Sequence, residues 1–188
     1  MNIIAVDWGK DIRKRSAYRA EVSTRVISRL EFDGGLTHLL EYAATLEGPV
    51  LIGIDAAIGF PRMAWNRLTP GETEPGGTFV DYLLHAELPS RFFDPIRTRE
   101  EWSPARPFIK PGAGSWSLTA FIEASKGGFY RQIDRRLNGN PIFVTSGIPG
   151  SVGSGTRALW QELRALASES DFNVWPFHGS LDQLMLVG

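Results

Sequence analysis

Two aspartates stand where a hard divalent cation is most readily held. Asp7 closes the apolar run Ile3-Ile4-Ala5-Val6, and Asp55 closes Val50-Leu51-Ile52-Gly53-Ile54. Runs without polar alternation suit strands covered on both faces, which tolerate a charge only at their ends. Carboxylates delivered by adjacent strand ends supply the short oxygen ligands that bridge a cation, a water and a phosphate. Asp7 and Asp55 are therefore the candidate catalytic pair and the candidate ligands of Mg²⁺ or Mn²⁺. Either residue alone reads equally as a cap on a turn or a helix N-terminus; the pair carries more information than its members.

Three further groups could contact phosphate or substrate. Gly9, Lys10, Arg13 and Lys14, with Arg15 behind them, follow the first run, where backbone N–H groups and cations could meet an anion, or could simply form a solvated basic turn. Gly150, Ser151, Gly153, Ser154, Gly155 and Thr156 lie between an apolar run and a helical pattern, where N–H groups can cradle an anion. The spacing mimics a P-loop, but Thr156 and Arg157 occupy the places of the required Lys and Ser/Thr, so a P-loop NTPase is excluded. Arg97 and Arg106 lie among Phe92, Phe93, Trp102 and Phe108, the composition of a single-strand nucleic-acid groove. Aromatic residues in a Pro-rich stretch more often serve to pin that stretch to a core. His38, His85 and His178 show no metal-binding spacing, and no G-x-S-x-G elbow exists.

The elements that would position these groups follow from periodicity. Ile3–Val6 is a first strand; residues 17–22 and 26–32 form a hairpin turned at Ser23-Thr24; Leu36, Leu39, Leu40, Ala43 and Ala44 give a helix its apolar face; Val50–Ile54 is a second buried strand. The helix between the two buried runs is a crossover that makes them parallel, with Asp7 and Asp55 at their carboxyl ends. Residues 59–115 are dense in Pro and Gly and read as an insertion or lid, with one helix over Phe79–Glu87. Trp116–Glu123 and Phe129–Leu137 are helical, Ile142–Thr145 is a third short strand, Thr156 caps a helix bearing Leu159, Trp160, Leu163 and Leu166, and Phe172–Trp175 is a last strand.

Composition narrows the function classes. In 188 residues, Lys+Arg 20 against Asp+Glu 21 leaves a net charge of −1, excluding a strongly basic nucleic-acid coat and an acidic tail. The absence of cysteine removes disulfides, thiolate metal sites and cysteine nucleophiles, and makes the cytoplasm the expected location. No run approaches the ~18 apolar residues of a membrane helix, so no membrane partner is expected. The length suits a single domain over 1–188.

Asp7-Trp8-Gly9 after a buried strand, together with Ile52-Gly53-Ile54-Asp55-Ala56-Ala57-Ile58-Gly59-Phe60-Pro61 and, more loosely, Ser146-Gly147-Ile148-Pro149-Gly150, resembles a bacterial family of predicted nucleases with ribonuclease H fold. The resemblance implies an α/β ribonuclease H-like domain: a mixed sheet of about five strands flanked by helices, with acidic metal ligands at the strand ends matching Asp7 and Asp55. It implies phosphodiester hydrolysis with a nucleic acid as partner. The family pattern also carries a later acidic residue, for which Glu162, Asp171 or Asp182 would have to serve; the apolar ending Leu184–Gly188 favours instead a chain truncated at its C-terminus. The same superfamily includes actin-like ATPases and sugar kinases, so an ATP-dependent phosphotransferase acting on a small phosphorylated ligand is the rival expectation. A non-catalytic binding module with an incomplete acidic centre is the third.

Overall fold

The computed structural model describes residues 1–68, 78–110, 123, 125, 128–145, 152–167 and 172–179. The expected helix over Trp116–Glu123, apart from residue 123, lies outside them, as do Ser146–Gly150, Asp171, Asp182 and the apolar end. The chain divides into two compact units, one of Met1–Ala56 with Glu162–Gly188 and one of Ala57–Gln161.

The first unit is built on a mixed four-stranded sheet in the order β3-β2-β1-β4, so the chain is α/β. Its strands are β1 (Asn2–Asp7), β2 (Ser16–Glu21), β3 (Val26–Leu30) and β4 (Val50–Ile54). Strands β1, β2 and β3 form an antiparallel meander, and β4 returns parallel to β1 after the helix α1 (Leu36–Ala44). The short apolar and alternating runs thus form the predicted strands, and the 3.6-residue spacing of Leu36, Leu39 and Leu40 forms the crossover helix.

The expectation that β1 and β4 are covered on both faces is corrected. Asn2, Ile4 and Val6 are buried, while Ala5 and Asp7 are exposed, and no residue of β4 is fully buried. The reason is topological: a single parallel crossover delivers one helix to one face, whereas tight antiparallel connections deliver none. On the buried face the Asn2 amide is engaged through both its nitrogen and its oxygen, donating to the Glu47 carbonyl at 3.1 Å and accepting from Arg19 Nε at 3.0 Å. On the other face Ala5, Tyr18, Ile27 and Gly53 remain exposed, Ile27 to 73%.

The second unit holds a separate core. Phe79, Leu83, Phe92, Ile96, Phe108, Phe129, Phe143 and Trp160 are buried together, with Phe60 and Trp65 packed against them. Their rings meet in tilted and edge-on arrangements, such as Phe79 against Trp160 at 4.7 Å and Phe108 against Phe143 at 5.8 Å and 86°, the geometry favoured by ring quadrupoles. The Trp160 indole N–H donates to the Ala57 carbonyl at 2.9 Å, so its polar edge is satisfied inside the core. This unit contributes α2 (Arg62–Leu68), α3 (Phe79–His85) and α4 (Gln132–Arg136). Helix α5 (Gly153–Leu166) supplies residues to both units. A reciprocal cap starts α3, with Thr78 N–H donating to Asp81 Oδ2 at 2.6 Å and Asp81 N–H to Thr78 Oγ1 at 3.2 Å.

Two further strand expectations are corrected. Ile142–Thr145 is no sheet strand: among the described residues it meets Ile109 in an isolated parallel bridge at Val144, with Ile109 N–H donating to the Phe143 carbonyl and Thr145 N–H to the Ile109 carbonyl, both at 2.8 Å. Residues 172–174 belong to no strand among the described residues, and the Val174 carbonyl accepts from both Phe177 and His178 N–H at 2.9 Å in a turn. The described sheet therefore has four strands, where the resemblance implied about five.

Candidate active site

Parallel pairing sets the site. Val6 lies opposite Ile54, and Asp55 N–H donates to the Val6 carbonyl at 3.2 Å, so Asp7 and Asp55 stand at the carboxyl ends of adjacent parallel strands. Both are exposed, and the neighbouring positions on that face, Ala5 and Gly53, are small. Asp55 Oδ1 accepts a hydrogen bond from Trp8 N–H at 2.6 Å. One carboxylate oxygen is thereby fixed by a backbone donor, a charge-assisted contact that limits the rotamers of Asp55. The donor set is two carboxylates of hard oxygen character, which fits Mg²⁺ or Mn²⁺ with waters completing the shell. Among the described residues, no group of three His, Cys, Asp or Glu could hold a metal ion.

Arg15, grouped by the sequence with the cations that could meet a phosphate, is instead buried within the fold. Its side chain is only 2% exposed and pairs with Glu162 Oε1 at 2.9 Å. It also donates from Nε to the Gly9 carbonyl at 2.7 Å and from Nη1 to the Gly34 carbonyl at 2.6 Å. Its guanidinium carbon lies 3.5 Å from the centroid of the Trp8 ring, which is itself 5% exposed. Burying a guanidinium is costly unless its donors are paired, and here a carboxylate, two carbonyls and an aromatic face take up that demand. Glu162 is equally committed, because its Oε2 accepts from Leu36 N–H at 3.0 Å. The N-cap position of α1 is Gly35, which has no side chain to cap the helix, so Glu162 caps it from 126 residues away. Of the three later acids considered as a further ligand, Glu162 is therefore tied to Arg15 and α1. The local signals for this arrangement are slight: a basic residue in a polar loop, and a glycine where Ser, Thr, Asp or Asn usually stands.

The other basic residues after β1, Lys10, Arg13 and Lys14, are exposed, and they differ in their ties. Arg13 grips Asp11 through two contacts of 3.0 Å, and this guanidinium hydrogen bond holds the Asp11 carboxyl below its ordinary value while raising Arg13. Lys10 and Lys14 are exposed, and Gly9 spends its carbonyl on Arg15. These residues belong to the same unit as Asp7 and Asp55.

The remaining candidates belong to the second unit, and of the described ones all but Arg97 are at least partly buried there. Gly150 and Ser151 lie outside the described residues. A Cβ on Gly153 would overlap the Val144 carbonyl, Ser154 Oγ donates to the Thr145 carbonyl, and Thr156 is fully buried. Gly155 is half-buried within α5. Arg106, 14% exposed, reaches Glu101 Oε1 at 3.0 Å and the carbonyls of Asp94 and Pro95. Arg97 is exposed, and its backbone N–H donates to Glu101 Oε2 at 3.1 Å; that bond is the foremost cause holding Glu101 below its ordinary range. Phe92 and Phe108 are buried and Phe93 and Trp102 half-buried, so these rings serve the core and present no exposed stacking platform.

No protein-family model, no curated protein and no solved structure matches this chain. No helix among the described residues is long and apolar enough to cross a membrane.

Proposed function

We propose that this chain is a ribonuclease H-like, metal-dependent phosphodiester hydrolase whose substrate is a nucleic acid, with Asp7 and Asp55 as its carboxylate pair. The observation that carries the reading is the parallel register of β1 and β4, which brings both aspartates to adjacent strand ends with Asp55 Oδ1 held by Trp8 N–H. A Mg²⁺ or Mn²⁺ ion bound between them would supply Lewis-acid stabilisation of the charge that develops during phosphoryl transfer. The chain's own residues do the rest. Asp7 and Asp55 offer oxygen ligands, Trp8 N–H orients one of them, and the small Ala5 and Gly53 leave space on that face. The exposed ammonium groups of Lys10 and Lys14 favour approach of a polyanion.

Calorimetric titration of Mn²⁺ into the full chain tests the reading. Binding should be lost in both Asp7→Asn and Asp55→Asn while their melting temperatures stay near that of the parent. Uptake of Mn²⁺ that neither substitution alters, or no uptake at all, rejects the pair as the metal site. A chain that passes is then assayed for cleavage of single- and double-stranded DNA and RNA, with the two variants as blanks.

A further inference from the structure

Asp55 is exposed, and an exposed carboxylate ordinarily samples several rotamers. Here its orientation depends on where the Trp8 peptide N–H points, since that donor lies 2.6 Å from Oδ1. The indole ring of Trp8 is not anchored by its own N–H, because Nε1 is buried without a hydrogen-bond partner among the described residues. The ring is instead covered by the Arg15 guanidinium at 3.5 Å, and the same guanidinium holds the carbonyl of Gly9, the next residue, at 2.7 Å. Arg15 therefore grips the chain at the ring of residue 8 and again at the carbonyl of residue 9. It is immobilised in turn by the Gly34 carbonyl and by Glu162, which is fixed to the start of α1.

We infer that Arg15 is the positioning residue for Asp55, acting through the Trp8 peptide. A stacked and forked guanidinium suits this role because its planar donors meet carbonyls, carboxylate and ring face at once, which an ammonium cannot do. The contacts stand by themselves; their consequence for a bound cation rests on the two-carboxylate reading above. Partners that orient a ligating side chain commonly change metal affinity 10- to 100-fold when removed, on the order of what is expected here.

Proton–nitrogen correlation NMR of the metal-free full chain at neutral pH reads this directly, because a close charged acceptor draws the Trp8 amide proton downfield. Asp55→Asn calibrates the upfield movement that follows loss of that acceptor's charge. Arg15→Met should move the Trp8 amide upfield by at least half as much while the β2 and β3 amides hold their positions, and Arg15→Lys should move it less. Trp8→Leu retains the carbonyl contacts of Arg15 and removes the stack, and its residue-8 amide should also move upfield after allowance for residue type. A folded Arg15→Met whose Trp8 amide stays in place overturns the inference; if that variant does not fold, an unmoved amide in folded Trp8→Leu does so. Titration with Mn²⁺ should then find Arg15→Lys weaker by about tenfold, and an unchanged affinity would overturn the role of this geometry in holding a cation. A parent chain that takes up no Mn²⁺ removes the hydrolase reading alone, leaving the amide shifts to decide the positioning role.

Discussion

The Arg15–Glu162 pair shows how far a single residue's role can lie from its sequence neighbourhood. Glu162 has two duties, neutralising a guanidinium that is 2% exposed and capping α1 at Leu36. Glu162→Ala removes both and leaves Arg15 buried without its anion. Breaking a fully buried pair costs about 3–5 kcal/mol, and loss of a helix cap about 1 kcal/mol. Because Glu162 is itself 30% exposed, water can replace part of what is lost, and a net destabilisation of about 2 kcal/mol is expected in urea unfolding. A change below about 0.5 kcal/mol, the usual range for a surface substitution, would show that the pair is not structural. The two aspartates present the opposite case: Asp7 and Asp55 were evident from type and position alone, since each ends an apolar run. Trp8, beside Asp7, stood out only as part of the Asp7-Trp8-Gly9 motif, because neither the stack on its ring nor the bond from its peptide leaves a mark on local spacing.

Among the elements, those with a local cause formed as the sequence indicated. The β2–β3 hairpin turns between Glu21 and Val26 with Arg25 at φ 56°, and α1 and α3 follow their apolar spacing. The elements that failed to form as strands, Ile142–Thr145 and Phe172–Trp175, are short apolar runs whose pairing needs a neighbour that periodicity cannot supply. The Gly-rich approach to α5 is the most instructive. Glycines before a helix look like an anion cradle, but Gly153 is glycine because the Val144 and Ile142 carbonyls lie against it. Gly153→Ala should therefore cost about 1–3 kcal/mol, the range for overpacking, although Ala is normally the better helix former. Thermal unfolding checks this: an unchanged or raised melting temperature would restore the view of an open, ligand-facing loop start.

At the scale of the whole molecule, the aromatic core of Ala57–Gln161 realises the plainer of the two readings of the aromatic stretch. Residues 59–115 looked like an insertion because Pro and Gly punctuate them, yet their Phe and Trp side chains combine with Phe129, Phe143 and Trp160 from later in the chain. Trp160→Ala should open a large cavity there and cost about 3–5 kcal/mol. Hydrogen exchange would follow the loss, with amides of residues 79–85 and 142–145 exchanging sooner; unaltered protection in those segments would show that Trp160 does not hold that core together. What the sequence determined by itself was the order strand, hairpin, helix, strand and the placement of Asp7 and Asp55 at parallel ends, since these depend on periodicity within a few residues and on the geometry of a crossover. Only the tertiary structure decided which face of the sheet stays open, which acid is committed to Arg15, what caps α1 and why Gly153 must be glycine. Each of these is a contact between segments far apart in the chain, and such contacts obey packing and charge pairing in space, for which residue spacing carries no period.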